Sequence, residues 1–280
     1  MRLAMSYMAP IPKAKSIAIR PRDRRFSREP LARPWWLNGD PVATAFYNAM
    51  SVSFPVGEAF FVETLRHFKA DAPPKLKAEI EAFIKQEVAH SREHLGLNRR
   101  IVEAGYEIKA LENRPAQRIA LLREKGPIAG LVGTMALEHI TAIFAYEVLA
   151  NPHHMHGADP EIAQLWRWHC LEEIEHKSVA FDAWLSVTGD WSRWRRWWTR
   201  SMVMVFITRR FLYDRLCGML ELLRQDGLSG PRILIAVFWF SLARPGMVRH
   251  IFQGWASYFK PGFHPWDHDD RHLIEKAANV

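Results

Sequence analysis

Four glutamates fall on the apolar stripes of four separate predicted helices, and this pattern limits the possible fold more than any other feature of the chain. The first stripe reads Ser51, Phe54, Glu58, Phe61, Leu65, Phe68. The second reads Leu76, Ile80, Phe83, Glu87, His90, His94, Leu97, Ile101. The third reads Leu131, Met135, Glu138, Ala142, Ala145, Leu149. The fourth reads Ile162, Trp166, His169, Glu173, His176, Ala180, Ala183, Val187. Steps of three and four residues put each set on one helix face. A carboxylate on a core-facing stripe costs several kcal/mol if it is unpaired. Four of them need compensation, and bound metal supplies it.

The order along the chain is Glu, Glu-x-x-His, Glu, Glu-x-x-His. In a chain with 13 His, roughly one Glu-x-x-His arises by chance, so the pairs alone mean little. Their placement means more. Glu58 lies about eleven residues before the end of the first helix, and Glu87 about thirteen after the start of the second, by the 1.5 Å rise that sets level along a helix. Glu138 and Glu173 repeat this about their own turn. Two antiparallel hairpins then bring all four to one level, and residues 105–126 form a long crossover between them. The set matches the ligand order of ferritin-like di-iron and di-manganese carboxylate proteins. The expected fold is all-α, a ferritin-like four-helix bundle with that crossover and additional C-terminal helices.

Punctuation along the chain gives the divisions. Residues 1–40 are rich in Pro and Arg and read as a basic arm lying against the body. Residues 41–188 read as the bundle, with helices at 41–69, 74–104, from Pro127 to before Asn151, and from Pro160 to about Thr188. Pro55 marks a kink or a start in the first. Gly105 suits a C-cap, and Asp159-Pro160 suits an N-cap followed by proline in the first turn. A short helix around Ala116–Arg123 is expected in the crossover. Residues 189–280 read as a Trp- and Arg-rich helical extension packed on the bundle, helical over 191–225, 230–243, 245–258 and near the end.

Composition removes several classes of function. Cys170 and Cys217 are the only cysteines and form no Cys-x-x-Cys, which argues against a disulfide framework or a zinc ribbon. No signal peptide is evident in the first 30 residues, and no run reaches the length of a membrane span; Ile233–Ala243 is too short. A cytoplasmic protein is expected. The net charge of +8 is uneven: residues 1–40 hold nine Lys/Arg against three acids, and residues 191–260 hold twelve against three. No recognisable nucleic-acid motif accompanies these basic stretches, so nucleic acid is not an expected partner. Seven of the twelve tryptophans follow residue 190, and Trp191-Ser-Arg-Trp194-Arg-Arg-Trp197-Trp198 alternates Trp with Arg on a helix. Packing on the bundle is the plainer reading. Contact of residues 191–200 with the inner face of a membrane is the alternative.

From about residue 30 to the end the chain resembles the bacterial family catalogued as predicted metal-dependent hydrolases, a ferritin-like group. The matching stretches are Phe54-Pro55-Val56-Gly57-Glu58, Glu87-Val88-Ala89-His90, Leu137-Glu138-His139, Glu172-Glu173-Ile174-Glu175-His176-Lys177 and Pro261-Gly262-Phe263-His264-Pro265. A second resemblance is confined to the ligands. His169-x-x-x-Glu173-x-x-His176 is similar to the fourth helix of the di-iron p-aminobenzoate N-oxygenases, and that similarity implies His169 as a seventh ligand.

The expected metal ligands are therefore Glu58, Glu87, His90, Glu138, His169, Glu173 and His176. His94, one turn beyond His90, joins them as a ligand or a supporting residue. Oxygen and imidazole donors without thiolate suit two iron ions; manganese or a mixed iron–manganese pair is compatible, and zinc is less suited. Other polar clusters carry less. His153, His154 and His156 are expected to face solvent, as are Glu63, Glu172 and Glu175. His264, Asp267, His268 and His272 form a tail cluster, and His139 is expected to support rather than ligate.

The leading expectation is a di-iron oxidase or oxygenase acting on a small apolar or aromatic substrate. Phe54, Phe61, Phe83 and Met135 would line its pocket, and an external donor would supply electrons. The first alternative is a two-metal hydrolase; the second is a non-enzymatic metal-binding bundle. A homodimer is compatible with either.

Overall fold

Asp40 starts the first helix. Its carboxylate accepts hydrogen bonds from the Val42 and Ala43 amides at 2.8 and 3.2 Å, a cap worth about 1 kcal/mol. Pro41 occupies the first turn, where no amide hydrogen is needed, and α1 runs Pro41–Lys69. Pro55 lies inside it. The structure, a computed structural model, describes residues 17–278. The first sixteen residues of the basic arm lie outside them.

Each bundle helix begins in a similar way. α2 (Pro74–Glu103) follows Pro73, and α4 (Pro127–Ala150) follows Gly126, whose φ of 89° admits glycine readily. α5 (Pro160–His176) is capped by Asp159, which accepts from the Glu161 and Ile162 amides. α1 packs most heavily on α2, and α4 on α5. Between the two pairs runs α3 (Lys109–Glu124), longer than the short crossover helix expected, because Pro115 is accommodated inside it. The described residues contain no strand, only an isolated bridge between Leu37 and Ala158.

The fourth predicted helix is broken, which corrects the continuous run to Thr188. α5 ends at His176, and α6 (Val179–Val187) begins after Lys177 and Ser178. Ser178 donates its hydroxyl to Asp182 of the new helix at 2.9 Å. Lys177 is buried and held by the His268 carbonyl and Asp270. The extension continues as α7 (Arg193–Gln225), α8 (Pro231–Leu242), α9 (Met247–Ser257) and α10 (Arg271–Ala278), with single 3-10 turns at Pro152–Met155 and Pro265–Asp267. α7 approaches α1 closely at Gly218, where a Cβ would lie 3.1 Å from that of Ala49.

α4 is long and apolar enough by composition to cross a membrane, contrary to the expectation that no run would be. Glu138 and His139 interrupt its apolar run without offsetting it. The helix is a core element, with 83% of its most apolar window buried.

Two apolar clusters fill the interior, and each bundle helix contributes to both. On α1, Phe54 belongs to the first and Phe61 to the second; on α2 the pair is Leu97 and Phe83; on α4 it is Ala145 and Met135. Trp166 of α5 and Val179 of α6 divide in the same way. The polar stripe residues therefore lie at the level between two dry layers.

Candidate metal centre

Between those layers the seven expected ligands converge. Glu58 comes from α1, Glu87 and His90 from α2, Glu138 from α4, and His169, Glu173 and His176 from α5. All seven are at most 3% exposed. Their donor atoms form overlapping groups within 4.8 Å: Glu87, Glu138 and His176; Glu58, Glu87 and His90; His90, His169 and Glu173. A fourth group joins Glu58, His94 and His169. His176 Nε2 lies 3.1 Å from Glu87, 3.3 Å from Glu138 and 3.5 Å from Glu173. His90 Nδ1 lies 3.8 Å from Glu87 and 3.7 Å from Glu173. His169 Nε2 lies 3.0 Å from Glu173 and 3.9 Å from Glu58. Donors that share one ion at about 2.1 Å stand roughly 3–3.5 Å apart, so several of these gaps suit a bound cation.

Hydrogen bonding supplies an independent test of fit. Both carboxylate oxygens of Glu58, Glu87 and Glu138, together with Glu173 Oε2, His90 Nδ1 and His176 Nε2, are buried with no hydrogen-bond partner among the described residues. Each such atom costs on the order of 1–3 kcal/mol when left unpaired. Nine of them meet at one level, and all nine are good donors to a hard or borderline metal ion.

The electrostatics agree. Burial pushes Glu58 and Glu87 well above the usual carboxylate range, and the neighbouring carboxylates add to this. Glu138 is pushed up to about 7 by burial and by Glu173. Burial also works against charge on Glu173, but His176 and His169 hold its carboxyl low. Without a cation, this group of carboxylates cannot ionise together.

Sequence reasoning missed the shell that aims the histidines. Glu172 and Glu175 were expected in solvent; they are buried instead, and this corrects the stripe argument, which saw only one face of α5. His90 donates from Nε2 to Glu172 at 3.0 Å, which leaves Nδ1 for the centre. His176 donates from Nδ1 to Gln86 Oε1 at 2.9 Å, which leaves Nε2 for the centre. Gln86 in turn donates to Glu175 at 2.9 Å. The arm closes both chains. The Arg22 guanidinium donates to Glu172 at 3.2 Å and to Glu175 at 2.7 Å, and the Arg22 and Arg20 amides add bonds to the same carboxylates. A residue that hydrogen-bonds a ligating histidine fixes both its tautomer and its direction. The run Glu172-Glu173-x-Glu175-His176 could have revealed a second polar face, whereas nothing in the sequence marked Arg22.

His94 has both ring nitrogens engaged. Nδ1 lies 2.9 Å from Ser51 Oγ and Nε2 lies 2.6 Å from His169 Nδ1. The other clusters stay apart from the centre. His154 is buried against Glu147 at 2.9 Å, which corrects its expected exposure, while His153 and His156 are exposed. His264 pairs with Asp182, His268 with Ser257, and Asp267 caps its own turn. His139 bonds the Gly254 carbonyl, and Glu63 is exposed with Arg123.

A largely apolar cavity of about 100 Å³ reaches the centre at Glu58. Phe54, Phe61, Leu137 and Thr141 line it, with Ile207 and Phe211 from α7. Phe83 and Met135, expected in this lining, lie in the second apolar cluster instead, and Phe83 packs edge-on against the His176 ring.

A family model described as a predicted metal-dependent hydrolase matches residues 20–269. No curated protein and no solved structure matches the chain. The matched span holds every residue of the centre and both arginines of the arm that support it. The chain belongs to the family of predicted metal-dependent hydrolases.

Proposed function

We propose that this chain is a two-metal hydrolase whose ions are held by Glu58, Glu87, His90, Glu138, His169, Glu173 and His176. The observation that carries the reading is the meeting of nine unpartnered buried donor atoms at one level of the bundle. The family's description supports hydrolysis over the oxidase that led the sequence reading. When bound, two such ions supply Lewis acidity and lower the pKa of water.

The protein's own groups do the rest. Glu87, Glu138 and His176 form one side of the site, and Glu58, His90, His169 and Glu173 form the other. Glu172 and Gln86 hold the outer nitrogens of His90 and His176, so that the other ring nitrogen of each faces the centre. Glu58 both belongs to the centre and lines the cavity, so substrate reaches the metals on the Glu58 side. Phe54 and Phe61 exclude bulk water there and favour an apolar group beside the scissile bond.

Oxidation by O₂ is the second reading. The donor set favours it: seven carboxylate and imidazole ligands without thiolate suit iron, and the cavity wall is apolar. An external electron donor would then be required. One experiment separates the two. The metal-stripped protein is reloaded with Zn(II), Mn(II) or Fe(II) and assayed against ester, amide and phosphoester panels with and without O₂. Hydrolysis with redox-inert Zn(II) under anaerobic conditions is the expected result. Turnover that requires both Fe(II) and O₂ would overturn the hydrolase in favour of the oxidase.

A further inference from the structure

Of the twenty large apolar side chains that the described residues expose, fourteen lie between Trp194 and Phe252. They are ordered. On α7, Trp194, Trp198, Met202, Val205, Leu212 and Leu216 follow steps of three and four, with Arg209 completing the series. That is a single outward stripe on a 33-residue helix, about 50 Å long at 1.5 Å per residue. α8 adds Leu234, Ile235, Phe238, Trp239 and Leu242, all exposed, with Arg232 the helix's one charged residue. A face this apolar on a monomer marks an interaction surface.

Charge identifies the partner. Residues 191–260 carry twelve Lys/Arg and three acids. Each acid is engaged: Asp214 is buried against Arg118, Glu221 pairs with Arg224, and Asp226 accepts from Trp35 and Tyr106. Arg193, Arg195, Arg209, Arg232, Arg244 and Arg249 are exposed around the apolar stripes. Apolar side chains edged by arginine, with tryptophans at one end, suit the interface of an anionic bilayer. A second copy of the same face would bring like charges together. A spanning arrangement does not fit either. α8 and α9 together are apolar enough to span, but they are bent by 46° and packed on the body. Phe240 meets Phe46 of α1, and Gly254 lies close against Ile143 of α4.

We propose that the outer faces of α7 and α8 dock this protein on an anionic membrane surface, lying on the bilayer without crossing it. The surface extends well beyond residues 191–200, which were the part legible in the sequence. α7 also serves the cavity, because Ile207, Arg210 and Phe211 on its other flank line the route to Glu58. The proposal is independent of the reaction performed at the metal centre.

Cosedimentation of the full chain tests it, using vesicles of phosphatidylcholine alone and of phosphatidylcholine mixed with phosphatidylglycerol. Two double variants are compared with wild type: Trp194→Glu with Trp198→Glu on α7, and Phe238→Glu with Trp239→Glu on α8. All four positions are exposed, so the fold should tolerate the changes, and circular dichroism and metal content check this. Wild type should bind the phosphatidylglycerol vesicles, more weakly as salt rises, and each double variant should bind roughly a hundredfold less tightly, since two large apolar groups no longer leave water. Wild type that stays in the supernatant with both vesicles overturns the proposal, as do variants that bind like wild type. A wild-type dimer that the variants dissociate, with no vesicle binding, also overturns it and assigns the face to a second copy.

Discussion

His94 Nε2 lies 2.6 Å from His169 Nδ1, and Asn98 determines which of the two donates. Asn98 Nδ2 donates to the Ser51 carbonyl at 3.2 Å, so its Oδ1 faces the Ser51 hydroxyl at 2.7 Å. The hydroxyl therefore donates to Asn98 and has only lone pairs for His94 Nδ1. That nitrogen must carry the proton. Burial holds the His94 ring well below its usual pKa, so the ring is neutral and its Nε2 accepts from His169 Nδ1–H. His169 Nε2 then faces the centre, 3.0 Å from a Glu173 oxygen. At that distance either a proton or a metal ion lies between the nitrogen and the carboxylate oxygen. The relay turns His169 Nε2 toward the carboxylates, and His94 is the residue that positions it.

Replacing His94 with Ala removes that positioning. Metal affinity should fall by about 10- to 100-fold, the usual cost of losing a residue that orients a ligand. Competition with a chelator measures it. An unchanged affinity would mean that His169 orients itself or does not ligate.

The arm should behave similarly from the opposite side of the site. Arg22→Ala loosens Glu172 and Glu175, which aim His90 and His176. We expect a loss of metal affinity of about tenfold or more, again as for second partners of ligating histidines. Arg22→Lys should recover only part of it, because lysine lacks the two-pronged guanidinium. Chelator competition on both variants is the check, and full retention by Arg22→Ala would detach the arm from the centre.

The four carboxylate-bearing helices and their convergence were legible because burial of charge leaves a mark in the sequence: an acidic residue within an apolar stripe. Glu58, Glu87, Glu138 and Glu173 each carried that mark. The supporting shell did not. Glu172 and Glu175 belong to a different face of α5 and looked like ordinary surface acids, and the segment that buries them lies more than 140 residues earlier, with Arg22 and Glu172 separated by 150 positions. The break after His176 was hidden too, since Lys177 and Ser178 are both compatible with a helix and only the distant Asp270 reveals how Lys177 is held. Long-range polar partners leave no local periodicity.

Metal removal should expose the cost of the carboxylates as a pH effect. Glu138 titrates at about 7 in the folded chain against an ordinary 4.5, so its proton is bound more tightly when folded. The associated stability is fully present below 4.5 and is lost as pH rises through about 7. Glu138→Gln has no titrating proton at this position. Comparing the two metal-stripped proteins, the variant should gain on wild type across that window, by on the order of 3 kcal/mol at the alkaline end. Urea unfolding at several pH values tests this; a gap that does not widen with pH would show that Glu138 is not held protonated.

Metal stoichiometry tests the central claim most directly. Elemental analysis of the purified chain, reloaded and freed of loose ions, should give about two ions per chain. Glu87→Ala and Glu173→Ala should each bind at least one ion fewer, because each removes half of a Glu-x-x-His clamp and Glu87 is shared between two donor groups. A wild-type chain that binds no metal, or variants that still bind two ions, would contradict the account.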